Sequence, residues 1–261
     1  MPELAEVEVY RRLAEQVVGR VVSEVVAPDS WYLKRGLTAA VAKAAVEGRP
    51  VTGARRTGKL LLLDTGSDGP VLGLRFGMSG RLLVDGTAGL TDLSHASNRE
   101  LEAWDRFALV FEGGGDLRMR DPRRLGGVEL DPEEARLGPD ALTVTPSGLA
   151  RALAASAAPL KARLMDQARL AGVGNLAADE LLWRAGLDPA RPAGSLSPAE
   201  LRRLHRYVRT TLADLLAKGG SHTGELMDER RPGGICPKDG TALLRRTVGG
   251  RTTFSCPRHQ V

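Results

Sequence analysis

Two short segments near the end of this 261-residue chain hold residue types that bind zinc. Cys236-Pro-Lys-Asp239 and Cys256-Pro-Arg-His259 flank a stretch with Gly249-Gly250 at its centre, so a hairpin turning there would bring the two segments together. Thiolate, carboxylate and imidazole are all zinc ligands, and a Cys-Asp-Cys-His set leaves the site with one net negative charge. The layout matches a zinc ribbon in which one cysteine of each CxxC has been replaced; the alternative is a metal-free hairpin with two buried thiols. No other cysteines occur, which excludes a disulfide framework.

A second candidate is Gly172-Val-Gly174-Asn175, directly ahead of a helical pattern from about Leu176 to Arg184. Glycines let backbone amides approach an anion, and a helix N-terminus binds one readily. Asn175 could cap that helix or offer its amide to a phosphate, and an ordinary capped turn accounts for the same residues. The opening MPELAE places Pro2, Glu3 and Glu6 where a helix begins, since proline and acids both suit a first turn. Leu4, Val7, Leu13, Val17 and Val18 then recur at helical spacing, with Gly19 as a stop.

These groups must be positioned by two kinds of scaffold. Over residues 21–130 the pattern reads as strands (VVSEVVA, PVTGARR, KLLLLDT, VLGLRFG, GRLLVDG, FALVFEGG, DLRMRD and GVEL) separated by turn residues, which suggests an antiparallel sandwich. From DPEEARLGPD the chain becomes rich in Ala and Leu, with helical segments SGLARALAASA, PLKARLMDQARL, LAADELLWRAG and SPAELRRLHRYVRTTLADLLAKG. Ser197 and Glu200 form a capping-box signature for the last. Strand candidates around TALLRRT and RTTFSC follow. The expected class is α+β multidomain: a β-sandwich with a leading helix over 1–131, a helical domain over 132–225 and a small hairpin over 226–261.

Of the net charge of +5, +4 lies between Leu226 and Val261, where seven Lys/Arg meet three Asp/Glu. Such a tail suits nucleic acid, or is simply a solvated basic surface. No stretch approaches the ~18 apolar residues of a membrane helix. The N-terminus lacks a basic-then-apolar signal pattern, so a cytoplasmic, nucleoid-associated protein without a membrane partner is expected. A monomer is expected as well.

MPELAEVE, TGKLLLL, FGMSGRL, DPRRLGG, GVGNLAADELL and GGRTTFSCPRHQ, in that order, resemble the formamidopyrimidine-DNA glycosylase and endonuclease VIII family over essentially the whole chain. The resemblance implies a β-sandwich, a helix–two-turns–helix domain and a zinc-finger hairpin, with damaged double-stranded DNA in the cleft between them. It implies a bifunctional DNA glycosylase and abasic-site lyase of base excision repair. Removal of the initiator methionine would expose Pro2 as a secondary-amine nucleophile for C1′. Glu3 would protonate the sugar ring oxygen, and Glu6 would hold a water or balance the iminium charge. Lys59, Asn175 and Arg251 match phosphate-contacting positions. Met78, Arg124 and Leu125 match the trio that fills the gap left by an extruded nucleotide. Cys236, Asp239, Cys256 and His259 match the ligands of one structural zinc.

The chain departs from the family pattern at Ala5 (usually proline), Leu125 (often phenylalanine) and Ala177 (commonly tyrosine). Only fifteen residues separate Gly220 from Cys236, short for a lesion-capping loop. A lyase with little base-excision activity, or a non-catalytic damaged-DNA-binding protein of the same fold, are the alternatives. Intact Pro2, Glu3 and Lys59 argue against the latter.

Overall fold

The computed structural model describes residues 2–90 and 101–261. In chain order its elements are α1 (Leu4–Ala14), β1 (Val22–Val26), α2 (Ala39–Val46), β2 (Gly53–Thr57), β3 (Leu60–Asp64), β4 (Val71–Arg75), β5 (Arg81–Val84), β6 (Thr87–Ala88), β7 (Asp105–Phe111), β8 (Asp116–Arg120) and β9 (Gly127–Leu130). Then come α3 (Pro146–Leu153), α4 (Leu160–Leu164), α5 (Asn175–Ala185), α6 (Pro198–Ala217), β10 (Leu244–Val248) and β11 (Arg251–Ser255). They divide into two compact units, one of residues 1–2 and 6–134, the other of residues 3–5 and 135–261.

The first unit is the expected sandwich. One antiparallel sheet has the order β1-β7-β8-β5-β6 and the other β2-β3-β4-β9. Leu61, Leu63, Leu72 and Leu74 of one sheet and Leu82, Phe107, Leu109 and Met119 of the other share a single buried core. Val7, Tyr10, Ala14 and Val17 join it at the three- and four-residue spacing of one helical face. Helix α1 ends at Ala14 and tightens into a 3-10 turn over Glu15–Val17. Of the apolar residues at helical spacing, Val18 lies beyond the helix and is 41% exposed, and Leu4 belongs to the core of the second unit. Helix α2 falls within a region that reads as strand-rich in sequence. The Thr38 hydroxyl caps it by accepting from the Val41 amide, and it buries only Ala42 and Val46, too narrow a stripe to stand out.

In the second unit α4, α6 and β11 pack against α5, whose residues Leu176–Trp183 are all buried. Helix α4 stops at Leu164, well short of the expected PLKARLMDQARL helix. Beyond it the Gln167 side chain organises a loop: its amide donates to the Met165 and Val173 carbonyls and its oxygen accepts from the Gly172 amide. The chain thus makes the two-turn connection that delivers Gly174 to the start of α5. Strands β10 and β11 form the expected hairpin about Gly249 and Gly250, both at positive φ. Trp183, Leu226, Cys236 and Cys256 make a small core beneath it. Among the described residues no helix is long and apolar enough to cross a membrane.

The capping box at α6 is present: the Ser197 hydroxyl accepts from the Glu200 amide, and the Glu200 carboxylate accepts from the Ser197 amide. Ser197→Ala should cost about 1 kcal/mol in chemical denaturation. Hydrogen bonds from Arg191, then from the Ser197 backbone, hold the Glu200 carboxyl down to about 2, against an ordinary value of 4.5. A depressed acid contributes fully above its unfolded value, and the contribution fades as pH falls toward the folded one. Stability should therefore decline more between pH 4.5 and about 2 in the parent protein than in Glu200→Gln, read from urea midpoints across that range.

Candidate active site and metal centre

Glu3 caps α5. Helix N-termini leave amides unsatisfied, and here the Leu176 and Ala177 amides donate to the two Glu3 carboxylate oxygens at 2.9 and 3.1 Å. The N-cap residue is Gly174, which has no side chain to do this, and Asn175 is the first residue inside the helix. Of the two readings of Asn175, capping does not hold: Glu3 occupies the place a capping side chain would take. The Asn175 Oδ1 atom accepts no hydrogen bond from the described residues.

The glycines have a related role. A Cβ on Gly174 would lie 2.1 Å from the Glu3 carboxyl carbon, and one on Gly172 would lie 2.3 Å from Leu4 Cδ1. Gly172 also has φ +113 and accepts from the Leu4 amide at its carbonyl. Both glycines therefore make room for the residues just after Pro2. The carboxylate that α5 receives comes from this chain itself.

In the first unit, Lys59 lies at the β2–β3 turn, beside Gly58 at φ +59. Arg56 braces that turn, donating to the Gly58 carbonyl at 2.8 Å and to Glu8 of α1 at 3.0 Å. Glu8 also takes Arg11 and Arg12. The Arg56 and Arg11 contacts outweigh burial and hold its carboxyl below the usual range. Neither Glu8 nor Arg56 was foreseen from the sequence, where both read as surface charge. Glu6 on the same helix is buried, as is Pro2.

The structure brings the loops of Met78, Arg124 and Leu125 together. Met78 sits in the turn after β4, and Arg124 and Leu125 lie between β8 and β9. A Cβ on Gly77 would strike the Leu125 carbonyl carbon at 2.4 Å, so the two backbones run in contact. Buried Asp121 ties both: one oxygen accepts from the Ser79 hydroxyl at 2.6 Å and the Arg123 amide at 3.1 Å, the other from the Gly126 amide at 2.8 Å. Leu125 is 50% exposed, a large apolar side chain presented to solvent.

The four ligand candidates also converge, with one atom from each of Cys236, Asp239, Cys256 and His259 lying within 4.8 Å of the others. Individual separations are 3.6 Å for Cys236 Sγ to His259 Nδ1, 3.4 Å for Cys256 Sγ to an Asp239 oxygen, and 3.2 Å for His259 Nδ1 to the same oxygen. A tetrahedral ion with bonds of about 2.0–2.3 Å spaces its ligands at about 3.3–3.8 Å, so the group fits. His259 Nε2 lies 3.1 Å from the Trp183 carbonyl, which directs Nδ1 inward, and Trp183 Nε1 donates to Cys236 Sγ.

Arg251 is exposed at the start of β11. Its strand is anchored by Lys161, which is fully buried, donates to the Thr252 carbonyl and the Thr253 hydroxyl, and pairs with Asp179 of α5 at 2.7 Å. Arg230 pairs with the same carboxylate at 2.8 Å. Burial pushes the Lys161 ammonium below its usual value, and the Asp179 charge offsets this only in part.

Residues 1–128 match the formamidopyrimidine-DNA glycosylase N-terminal domain and residues 137–225 its H2TH domain. The formamidopyrimidine-DNA glycosylase of Symbiobacterium thermophilum is 37% identical over the whole of this chain and 89% of its own length. That of Thermus thermophilus is also 37% identical, over all of this chain and 98% of its own. This chain belongs to the formamidopyrimidine-DNA glycosylase family. The family's members are base-excision-repair DNA glycosylases that also cleave abasic sites as lyases. The Lactococcus lactis Fpg in complex with DNA containing an abasic site superposes with a TM-score of 0.82 at 26% identity, covering 99% of each chain.

The seat of Glu3 can be tested within this family's chemistry. Gly174 has φ −115, so alanine is allowed by the backbone but its methyl displaces the carboxylate. Gly174→Ala should slow abasic-site cleavage about a hundredfold. The fold should survive with a loss of about 1–3 kcal/mol. Cleavage at the parent rate in a folded variant would show that Glu3 does not need this position.

Proposed function

We propose that Pro2, once exposed by methionine removal, is the nucleophile of a glycosylase and abasic-site lyase acting on oxidised bases in duplex DNA. Its neutral secondary amine attacks C1′, the damaged base leaves, and ring opening gives an iminium. That cation accepts the electrons released when a C2′ proton is removed and the 3′ phosphate departs; a second elimination releases the 5′ phosphate. Glu3 donates a proton to the ring oxygen and later carries protons between steps; Glu6 holds a water or balances the iminium charge. Lys59, Asn175 and Arg251 grip phosphates; among the described residues the Asn175 Oδ1 atom has no hydrogen-bond partner. Met78, Arg124 and Leu125 fill the vacated stack. The observation that carries this reading is the Glu3 carboxylate, fixed by two amides immediately beside Pro2 in the chain. Related complexes hold DNA containing an abasic site, Fapy-dG or an oxidised pyrimidine, which supports damaged DNA as the substrate.

The lesion pocket is read as permissive. The fifteen residues between Gly220 and Cys236 are occupied with structure: Glu180 accepts from the Glu225 and Leu226 amides, and Leu226 is buried beneath the hairpin. So short a segment offers few contacts to a flipped base. Ring-opened and ring-saturated bases, which stack poorly, should be released faster than 8-oxoguanine opposite cytosine.

Borohydride should trap the processed protein covalently on abasic-site DNA, and Pro2→Gly should reduce trapping at least ~100-fold. Equal trapping by a form extended at the N-terminus, in which Pro2 cannot act as an amine, would assign the nucleophile elsewhere.

One zinc ion held by Cys236, Asp239, Cys256 and His259 is proposed as a structural cofactor, its chemistry being to fix the hairpin that presents Arg251. Chelation should weaken DNA binding at least ~10-fold while leaving the sandwich's thermal transition in place. Protein purified without chelator and containing less than about a tenth of an equivalent of zinc would overturn this.

A further inference from the structure

Helix α6 has two unlike sides. Leu204, Val208, Leu212 and Leu215 are buried along one and join the core that holds α5. The opposite side carries Arg202, Arg206, Arg209 and Ala213, all exposed and spaced by four, three and four residues. At about 3.6 residues per turn and about 1.5 Å per residue, the three arginines form one line over roughly 10 Å of helix, directed away from the core. Arg203 is exposed beside them. An open groove follows the line, bordered by His205, Arg206, Arg209, Thr210 and Ala213. His205 is tethered there, its Nε2 donating to the Val144 carbonyl at 2.8 Å, and the Arg206 guanidinium lies 5.0 Å from the centre of the Tyr207 ring.

Elsewhere in this unit arginines are neutralised by acids: Arg184 by Glu180 and Asp214, Arg191 by Glu200, and Arg230 by Asp179. Those pairs engage both acids of α6, Glu200 and Asp214. Among the described residues, none of Arg202, Arg203, Arg206 and Arg209 is paired with a carboxylate. Their neighbours one turn away include one another, and like charges at three- and four-residue spacing destabilise a helix. A polyanion laid along the line would relieve that repulsion. Duplex DNA matches it in chemistry and in spacing. Guanidinium forks fit phosphates bidentately, and a DNA strand carries one charge for about every 3.4 Å of rise, so roughly three phosphates pass along the line. The line is also separate from Asn175, since it faces away from the core that α6 shares with α5.

We propose that the outer face of α6 is a second, sequence-independent binding surface for duplex DNA, which grips an undamaged segment while another occupies the lesion site. Transfer between segments then passes through a complex of one protein with two duplexes. Release from the first duplex quickens as the second becomes more concentrated, whereas a protein with a single DNA surface lets go at a rate independent of competitor. The proposal uses the DNA binding of the family and does not depend on Pro2 as the nucleophile.

The test preloads the full-length protein on a fluorescent duplex carrying a tetrahydrofuran abasic analogue, then follows its release against rising concentrations of an unlabelled, undamaged duplex. Over about a hundredfold range of competitor, release from the parent should accelerate at least ~5-fold. In the combined variant Arg202→Gln, Arg206→Gln and Arg209→Gln, which keeps good helix formers, release should change by less than about twofold. The salt slope of binding to undamaged duplex should be shallower by about 2.7 in that variant, for three lost phosphate contacts. Its cleavage of abasic-site DNA should stay within about twofold of the parent. Arg206→Gln alone, at the centre of the line, should weaken the acceleration and provides the reading if the combined variant fails to fold. Competitor-independent release from the parent overturns the proposal without any variant. Acceleration that survives in the combined variant overturns the assignment to α6. Binding of a fluorescent polyglutamate peptide to the preloaded parent, where the undamaged duplex has no effect, assigns the face to an acidic protein segment and overturns DNA as its occupant.

Discussion

The Glu3 carboxylate accepts the first free amides of α5, and that contact dictates the sequence around it. Two charge-assisted hydrogen bonds on a helix N-terminus stabilise by about 1.5–3 kcal/mol each when water is excluded. They require the approach of one backbone to another with no Cβ between, which is why Gly172 and Gly174 stand where they do. They also remove the need for a capping side chain at Gly174. The residue that follows Pro2 is thereby fixed at one end by the chain and at the other by a buried helix. Such double anchoring pre-organises the carboxylate in a single position.

Carboxylates do similar work elsewhere. Asp121 joins the loops of Met78 and Leu125 through three hydrogen bonds, Glu8 joins the Lys59 turn to α1 through Arg56, and Asp29 holds Arg124. Each is buried against at least one donor, so its desolvation is offset by geometry that only one loop arrangement satisfies. In a protein with 31 arginines and 6 lysines, planar guanidinium forks make such bidentate clasps readily available. The loops that carry the candidate site residues are thus tied down from below.

The Lys161–Asp179–Arg230 cluster serves the hairpin in the same manner. Removing one member of a buried ion pair typically costs about 3–5 kcal/mol, because the partner is left charged and dry. Here the partners span α4, α5, the segment before Cys236 and β11, so the exposed Arg251 stands on a strand that cannot shift independently of the helices. The cluster of Cys236, Asp239, Cys256 and His259 and the Trp183 ring fasten the other end.

Local patterns in the chain determined the strands of the sandwich, the capping box of α6, the hairpin and the convergence of Cys236, Asp239, Cys256 and His259, since each depends on periodicity or on spacing along a single turn. The family motifs also named the candidate functional positions. What they could not supply were partners distant in sequence. Glu3 and Leu176 are 173 residues apart, Asp29 and Arg124 are 95, and Lys161 and Thr253 are 92. Acids and bases at such separations read as ordinary surface charge until the fold excludes water around them. Only the tertiary structure decided that the glycines of Gly172-Val-Gly174 admit Leu4 and Glu3, because steric room and desolvation belong to packed neighbours and leave no period in the sequence.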